Sequence, residues 1–450
     1  MSAATPDYDL IVVGAGAMGL AAAYEAGKLG KRVKVLEAGP VPGGMAAHQD
    51  LGGLSIERYY HFICKTDYDT FGLMQELGIR DRLKWAATKM GYYTDGKLHP
   101  WGNPVALLKY PGLSLIDKFR YGLMALYSTK RKSWDKVEPL TAPEWLRGWL
   151  GDKAYDKLWG RLFALKFYGY TEDISATWIG TRIRRIGLSR RSMFEEQLGY
   201  IEGGTETLVE ATVAAIEAQG NSVECASPVS RIERAGDRLE VHANGEVLSA
   251  ERVISTAPTP LISDMVPSLP EADKAKYDAI PNIGVACLLF KLKRPASENF
   301  WVNIVDVAQP VPGIIEFSNL RPVEDASVVY VPYYMPTTEE RWTWSDEKLL
   351  DEAFRSIRAV NPQLKESDIL ASSVNRLRYS QPICTPNFLD QLPPVQTAIE
   401  GLQIADTSFY YPEDRGISES IKLGRNMARH AFGQAPHQYD EASAPPDRAS

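Results

Sequence analysis

Tyr8-Asp-Leu-Ile-Val-Val-Gly14-Ala-Gly16-Ala-Met-Gly19 is the stretch whose reading decides the fold. Leu10 to Val13 is an apolar run too short for a helix and suited to a buried parallel strand. Ala17 to Gly30 is rich in alanine and reads as a helix, and Arg32 to Glu37 returns to a β-type pattern. This is the strand–turn–helix–strand context that a G-x-G-x-x-G motif needs in order to bind a dinucleotide. Gly14 permits the tight turn, Gly16 lets a pyrophosphate approach the backbone, and Gly19 lets helix and strand pack closely. The helix N-terminus offers free N–H groups and a partial positive charge to the phosphates. Glu37 stands where an acid accepts from ribose hydroxyls, which also argues against a ribose 2′-phosphate.

A second glycine-bearing segment, Tyr411-Pro-Glu-Asp-Arg-Gly416-Ile-Ser418-Glu-Ser-Ile-Lys-Leu-Gly424, lies near the other end. Gly416 allows a turn just before a helix, so the N–H groups of Ile417 and Ser418 are expected to be free. An ordinary capped surface helix is the alternative reading.

The 450 residues suffice for two or three domains. A net charge of −7 argues against general nucleic-acid affinity. Cys64, Cys225, Cys287 and Cys384 are widely spaced, giving no zinc ligand pattern and no disulfide framework, as suits a reducing compartment. No metal is expected. The sequence shows no signal-peptide pattern and no apolar stretch of membrane-spanning length. The expectation is a cytoplasmic protein, with peripheral contact at the inner face of the membrane left open.

The fold expected is α/β: a discontinuous Rossmann-type dinucleotide-binding domain with a second, mixed-sheet substrate domain and a helical cap. Residues 1–62, 200–265 and 396–433 form the first domain. Residues 63–199 and 266–395 form the second, and 434–450, rich in Pro, Ala, Asp and Ser, a disordered tail. Within these, Met45 to Phe62 alternates and suggests a loop leading into a strand, and Ala154 to Phe163 reads as a helix. Asn244-Gly245 marks a hairpin, and Gly284 to Lys291, Gly313 to Phe317 and Val328 to Tyr334 are strands of the second sheet.

The arrangement resembles the flavin-dependent amine oxidase and protoporphyrinogen oxidase superfamily. The residues that carry the resemblance are Gly14, Gly16, Gly19 and Glu37, the Gly43-Gly44 pair, and the Gly203-Gly204 turn. Pro228-Val229, Val253-Ile-Ser-Thr-Ala-Pro258 and the segment from Ala405 to Gly424 complete the set. It implies non-covalent FAD, held also by Ala17, Met18, Ala38, Met45, Val229, Thr256, Ala257, Pro258, Asp406, Gly416, Ile417 and Ser418. Departures are Met45 where the family usually places Arg, Ala405-Asp406-Thr407 before the last helix, and Arg58 after Glu57. Cys384 lies too far before the last motif to suggest a covalent flavin. The segment Glu57-Arg58-Tyr59-Tyr60-His61-Phe62 is similar to a histidine-bearing loop of UDP-galactopyranose mutases.

The candidate catalytic residues are His61, Tyr60, Tyr411 and Arg415. His61 can titrate near neutral pH, or else serve packing. Of Tyr59 and Tyr60, an alternating strand would turn one to the core. Tyr410, Tyr411 and Arg415 are expected in the cavity wall, with Arg415 binding a substrate anion or pairing with Glu413 or Asp414. Arg182, Arg184, Arg185, Arg190 and Arg191 form either a solvated face or a diphosphate patch, and Lys166 to Tyr168 projects into the site or joins the core. Lys118 to Lys132 reads as a helix packed on the cap or as an amphipathic membrane-surface helix. The function expected is oxidation of a C–H or C–N bond of a small-molecule or lipid- or sugar-linked substrate by hydride transfer to flavin N5, in glycan or glycolipid biosynthesis. The alternatives are a redox-neutral sugar mutase and a non-enzymatic flavin-binding partner.

Overall fold

The computed structural model describes residues 6–439. Tyr8–Val13 lies inside a seven-stranded sheet, between Val33–Leu36 and Glu246–Ser255, parallel to both. Ser222–Glu224 extends the sheet beyond Val33–Leu36. The hairpin Val229–Ala235/Arg238–Ala243 and the short strand Leu402–Ile404 both pair with Glu246–Ser255. Asn244 and Gly245, with φ of 52° and 81°, make the tight turn that joins Arg238–Ala243 to Glu246–Ser255, a conformation to which Asn-Gly is suited. Helix Ala17–Lys28 is buried from Met18 to Ala26. Alanine favours the helix and leaves little bulk between neighbours. Helix Ile417–Ala431 exploits this: a Cβ on Gly424 would stand 2.0 Å from the Met18 carbonyl oxygen.

The second sheet also has seven strands. Asn282–Leu292 is its second strand, paired antiparallel with the edge strand Ile369–Pro382 on one side and with Ser327–Met335 on the other. Gly313–Glu316, Trp301–Ile304, Met90–Thr94 and Lys97–Trp101 follow in that order. Alternation along Asn282–Leu292 divides two cores. Ala286, Leu288 and Phe290 pack with Leu349, Phe354 and Ile357 of helix Asp346–Val360. Val285, Cys287 and Leu289 face the helical region that covers the other side.

That region comprises Pro104–Lys109, Leu115–Lys130, Ala142–Leu150, Arg161–Phe167 and Ala176–Leu188. Where the sequence suggests one helix from Ala154 to Phe163, the chain instead passes through a π turn at Asp156–Gly160. The segment expected to become a strand after the glycine pair forms a small hairpin, His48–Asp50 with Ser55–Glu57, and residues 58–62 are irregular. The start of the supposed tail is also ordered. The His437 N–H donates to Asn426 Oδ1 at 2.7 Å, and Tyr439 stacks under Arg425 and hydrogen-bonds Glu76. The remainder of that segment, 440–450, lies outside the described residues. Among the described residues no helix is long and apolar enough to cross a membrane.

Candidate active site

A cavity of about 770 Å³ runs from the first glycine turn to the face of the second sheet. This lies within the usual range for ligand pockets, about 300–1,000 Å³. Gly14 adopts φ +99°, a conformation that L side chains avoid, and any Cβ there would strike Thr256 Oγ1 at 2.4 Å. Thr256 in turn donates its N–H and its hydroxyl to the Val13 carbonyl, at 2.8 and 2.9 Å. A Cβ on Gly16 would meet nothing within 4 Å, so the space above it is open. Gly19 lines none of the cavity: its Cβ would fall 1.9 Å from the Gly14 carbonyl oxygen, so it serves helix–strand packing.

Glu37 already has backbone partners. Its carboxylate accepts from the Ala15 and Gly39 N–H groups, each at 2.7 Å, and so braces the glycine turn. Each oxygen keeps a further lone pair. Ala17, Met18, Ala38, Gly43, Gly44, Met45, Val229, Thr256, Ala257 and Pro258 all line this end. Val229 stands at a β-bulge against Ala243/His242. Asp406 is buried. Its carboxylate accepts from the Thr259 and Ser408 N–H groups, both at 2.8 Å, pinning two wall segments together.

Gly416 and Ile417 line the cavity where helix Ile417–Ala431 begins, and no side chain caps that helix. Ser418 does not reach the cavity. It is buried and its Oγ accepts from the Thr70 N–H at 3.3 Å.

Beyond this point the wall is aromatic: Tyr59, Tyr60, Phe62, Phe300, Trp301, Tyr334 and Tyr379. Because residues 58–62 are not a strand, Tyr59, Tyr60, His61 and Phe62 all face the cavity, and neither tyrosine is lost to the core side of a sheet. The Tyr60 and Tyr334 hydroxyls are 3.0 Å apart, and the Tyr60 ring meets Trp301 edge-on at 5.3 Å. Arg415 pairs with neither Glu413 nor Asp414. Its guanidinium donates to the Ser380 carbonyl and hydroxyl and to the Tyr334 hydroxyl. His61 Nδ1 is buried without a partner, and burial holds the imidazole below its ordinary pKa.

The loop bearing these residues is anchored by charge. Glu57 is buried; Arg321 Nη2 donates to Glu57 Oε2 at 2.8 Å, and the Thr205 N–H donates to Oε1 at 3.2 Å. The Tyr330 hydroxyl closes on the Glu57 carbonyl at 2.6 Å.

Tyr411 is corrected. Its hydroxyl points out of the cavity, donating to Glu138 Oε1 at 2.6 Å and lying 2.8 Å from Ser175 Oγ. It ties the cap to the chain before the last helix, while its neighbour Tyr410 takes the wall position. Arg182 and Arg185 do reach the wall, but each is matched to an acid, Asp414 at 3.0 Å and Asp67 at 2.8 Å.

Lys166 stands out among the residues that composition left undecided. Its ammonium lies 5.6 Å from the Trp301 ring centre and 5.9 Å from that of Tyr334. Burial, with Arg182 and Arg415 adding to it, depresses its pKa to about 7. Trp301, Tyr334 and Arg321 carried no sequence signal, because their partners Tyr60 and Glu57 stand 241 to 274 positions away and only the fold brings them together.

The family model described as flavin containing amine oxidoreductase matches residues 19–428. This chain belongs to that family. It is 26% identical over 327 residues to a flavin-containing amine oxidase of Oncorhynchus mykiss, covering 65% of this chain and 58% of that protein. A 15-cis-phytoene desaturase of an Oncidium hybrid cultivar is 24% identical over 281 residues, 58% of this chain and 48% of that one. The chain thus spans about half the length of the curated relatives it matches. Among solved structures, cyclohexylamine oxidase from Brevibacterium oxydans IH-35A superposes with a TM-score of 0.71 at 16% identity, covering 95% of this chain and 99% of that one. Reduced UDP-galactopyranose mutase gives 0.73 at 18% identity, over 98% and 97%. At such identities the likeness is one of fold.

Proposed function

We propose that the chain is an oxidoreductase that binds FAD without a covalent link and oxidises a C–H or C–N bond of an organic substrate held in the aromatic chamber. The observation that supports this best is the continuity of the cavity, from the glycine turn past the uncapped start of helix Ile417–Ala431 to Tyr60, Tyr334 and Lys166. Glu37 and Val229 bound the end suited to adenosine, and the turn at Gly14 and Gly16 suits the pyrophosphate. The N–H groups of the last helix suit the ring edge on which negative charge develops. Bound there, the flavin supplies a hydride acceptor at N5.

The protein's part is to hold and desolvate the substrate. Tyr60, Trp301 and Tyr334 give an apolar box with two hydroxyls at its rim. His61, kept neutral near pH 7 by burial, offers Nδ1 as a proton acceptor. Lys166 is the other basic group in the box able to take a proton near neutrality. Non-covalent binding is supported by Cys384, which lies outside the cavity, and by Cys287, whose buried thiol is pushed well above its ordinary pKa and is a poor nucleophile.

The redox-neutral sugar mutase is the second reading, and the position of His61 in the wall favours it. Against a diphosphate-linked or glycolipid substrate stands the pairing of Arg182 and Arg185 with acids. The deciding experiment is an anaerobic visible spectrum of the purified protein, titrated with amines and then with lipid and sugar fractions. Bleaching of the oxidised-flavin band supports oxidation. A band that never bleaches, with turnover of nucleotide sugars by pre-reduced protein, supports the mutase. A Gly16→Leu variant that keeps stoichiometric FAD would refute the placement of the pyrophosphate.

A further inference from the structure

We propose that the outer side of helices Pro104–Lys109 and Leu115–Lys130 is a docking surface for an anionic lipid bilayer. On the longer helix, Leu115, Ile116, Phe119, Leu123, Leu126 and Tyr127 are exposed to 75, 70, 71, 44, 54 and 46%. At 100° per residue these six side chains fall within an arc of roughly 120°. Val105 and Leu108 on the shorter helix are exposed to 47 and 59%. Isolated exposed leucines are ordinary, but eight large apolar side chains gathered on two successive helices are not.

The face is rigidly presented. Met124 and Ser128 bury the opposite side of the long helix, which packs on Ala142–Leu150 and Ala176–Leu188. A capping box between Ser114 and Asp117 fixes its start. Lys118 Nζ donates to the Leu108 carbonyl at 2.7 Å and Arg120 to the Trp149 and Gly148 carbonyls. The apolar stripe is therefore not waiting for the helix to roll inward, since its inner side is already occupied.

Charge selects the occupant. Residues 104–136 hold seven basic residues (Lys109, Lys118, Arg120, Lys130, Arg131, Lys132, Lys136) against Asp117 and Asp135, a net of +5 in a chain of −7. Lys109, Lys130, Lys132 and Lys136 are exposed. A two-fold pairing of this face with a second copy would set like charge against like. An apolar stripe rimmed by lysines is the pattern of a helix lying in a lipid interface, with phosphates drawn to the rim and acyl chains to the stripe.

The test uses the full-length holoprotein and sedimentation with vesicles of phosphatidylcholine alone or mixed with phosphatidylglycerol at low salt. Binding is expected with the mixed vesicles and to be weaker with the neutral ones. A Phe119→Asp/Leu123→Asp variant and, independently, a Lys130→Glu/Lys132→Glu variant should each bind at least roughly tenfold less, with flavin content and melting temperature unchanged. The lysine pair is on the exposed surface, so that variant carries the test if the first fails to fold. The proposal is overturned if the parent stays in the supernatant with mixed vesicles, or if both variants bind as the parent does. It is equally overturned if sedimentation equilibrium shows a dimer that the Asp pair dissociates while vesicle binding is absent.

Discussion

Arg321 Nη2 lies 2.8 Å from Glu57 Oε2, both side chains buried, and this pair fixes the loop that carries His61 to the second sheet's side of the molecule. Burial alone would push the Glu57 carboxyl upward, but His48 and Arg321 together hold it below the usual carboxylate range. Removing one partner leaves a charge buried without compensation, at a cost of about 3–5 kcal/mol. Arg321→Met is therefore expected to lower stability by that order in urea titrations, and to slow flavin reduction because residues 58–62 lose their anchor. An unchanged unfolding midpoint would contradict this.

His61→Ala should keep its flavin, since the glycine-turn end of the cavity does not depend on the imidazole. Its rate of flavin reduction should fall by about 10²-fold or more if His61 takes a proton. The parent's ordinary pKa of 6.5 is depressed by burial, so the histidine-dependent part of the rate should persist through pH 6.5 and be lost only at lower pH. Stopped-flow reduction across that range measures both; a rate equal to the parent's returns His61 to packing.

Lys166 has a folded pKa of about 7 against 10.5 when exposed. Between these values the unfolded chain binds the extra proton, so the lysine's contribution makes the fold more stable as pH rises from 7 to 10.5. Below pH 7 the penalty for burying its charge is at its full size. Lys166→Met should thus raise the melting temperature most at pH 6 and progressively less toward pH 10. A gain independent of pH would show that the ammonium is not desolvated.

Arg425 is 1% exposed and donates to Glu25 at 2.6 Å and to Glu76 at 3.0 Å, joining three helices. Burial raises the Glu76 carboxyl, but Lys28, Tyr439 and Arg425 outweigh it and hold it at about 2. The stability it contributes is complete above pH 4.5 and disappears as pH falls from 4.5 toward 2. Arg425→Met should cost about 3–5 kcal/mol at pH 7, and Glu25→Gln in the same chain should restore part of it. Denaturant unfolding at pH 7 and pH 3 checks both statements; the variant's deficit should shrink at the lower pH.

The elements that could be read from the sequence are those whose chemistry is local. Gly14, Gly16 and Gly19 carry their reasons within one turn, and Asn244-Gly245 within one hairpin. Strand Ile369–Pro382 escaped notice because Ser372, Ser373, Asn375 and Arg376 make it polar, and what holds it is pairing along Asn282–Leu292. Met90–Thr94 was hidden likewise: its neighbour Trp301–Ile304 is parallel and two hundred positions distant. Tyr411 was misplaced for a related reason. Its motif fixes where the backbone goes, whereas the direction of the side chain is set by Glu138 and Ser175 of the cap. Lys166 resembled any cap lysine until Trp301 and Tyr334 were brought beside it.

The contact of Gly424 with Met18, and of Arg425 with Glu25 across 400 positions, has a consequence for biosynthesis. While the ribosome is still making the middle of the chain, helix Ala17–Lys28 has an alanine face with no cover and an acid with no guanidinium. The nascent N-terminal unit must wait in that state until the chain has been translated past Arg425. Completion of the cavity wall at Gly416 and Ile417 is then a late event, and until it happens the uncovered apolar face is open to misassociation.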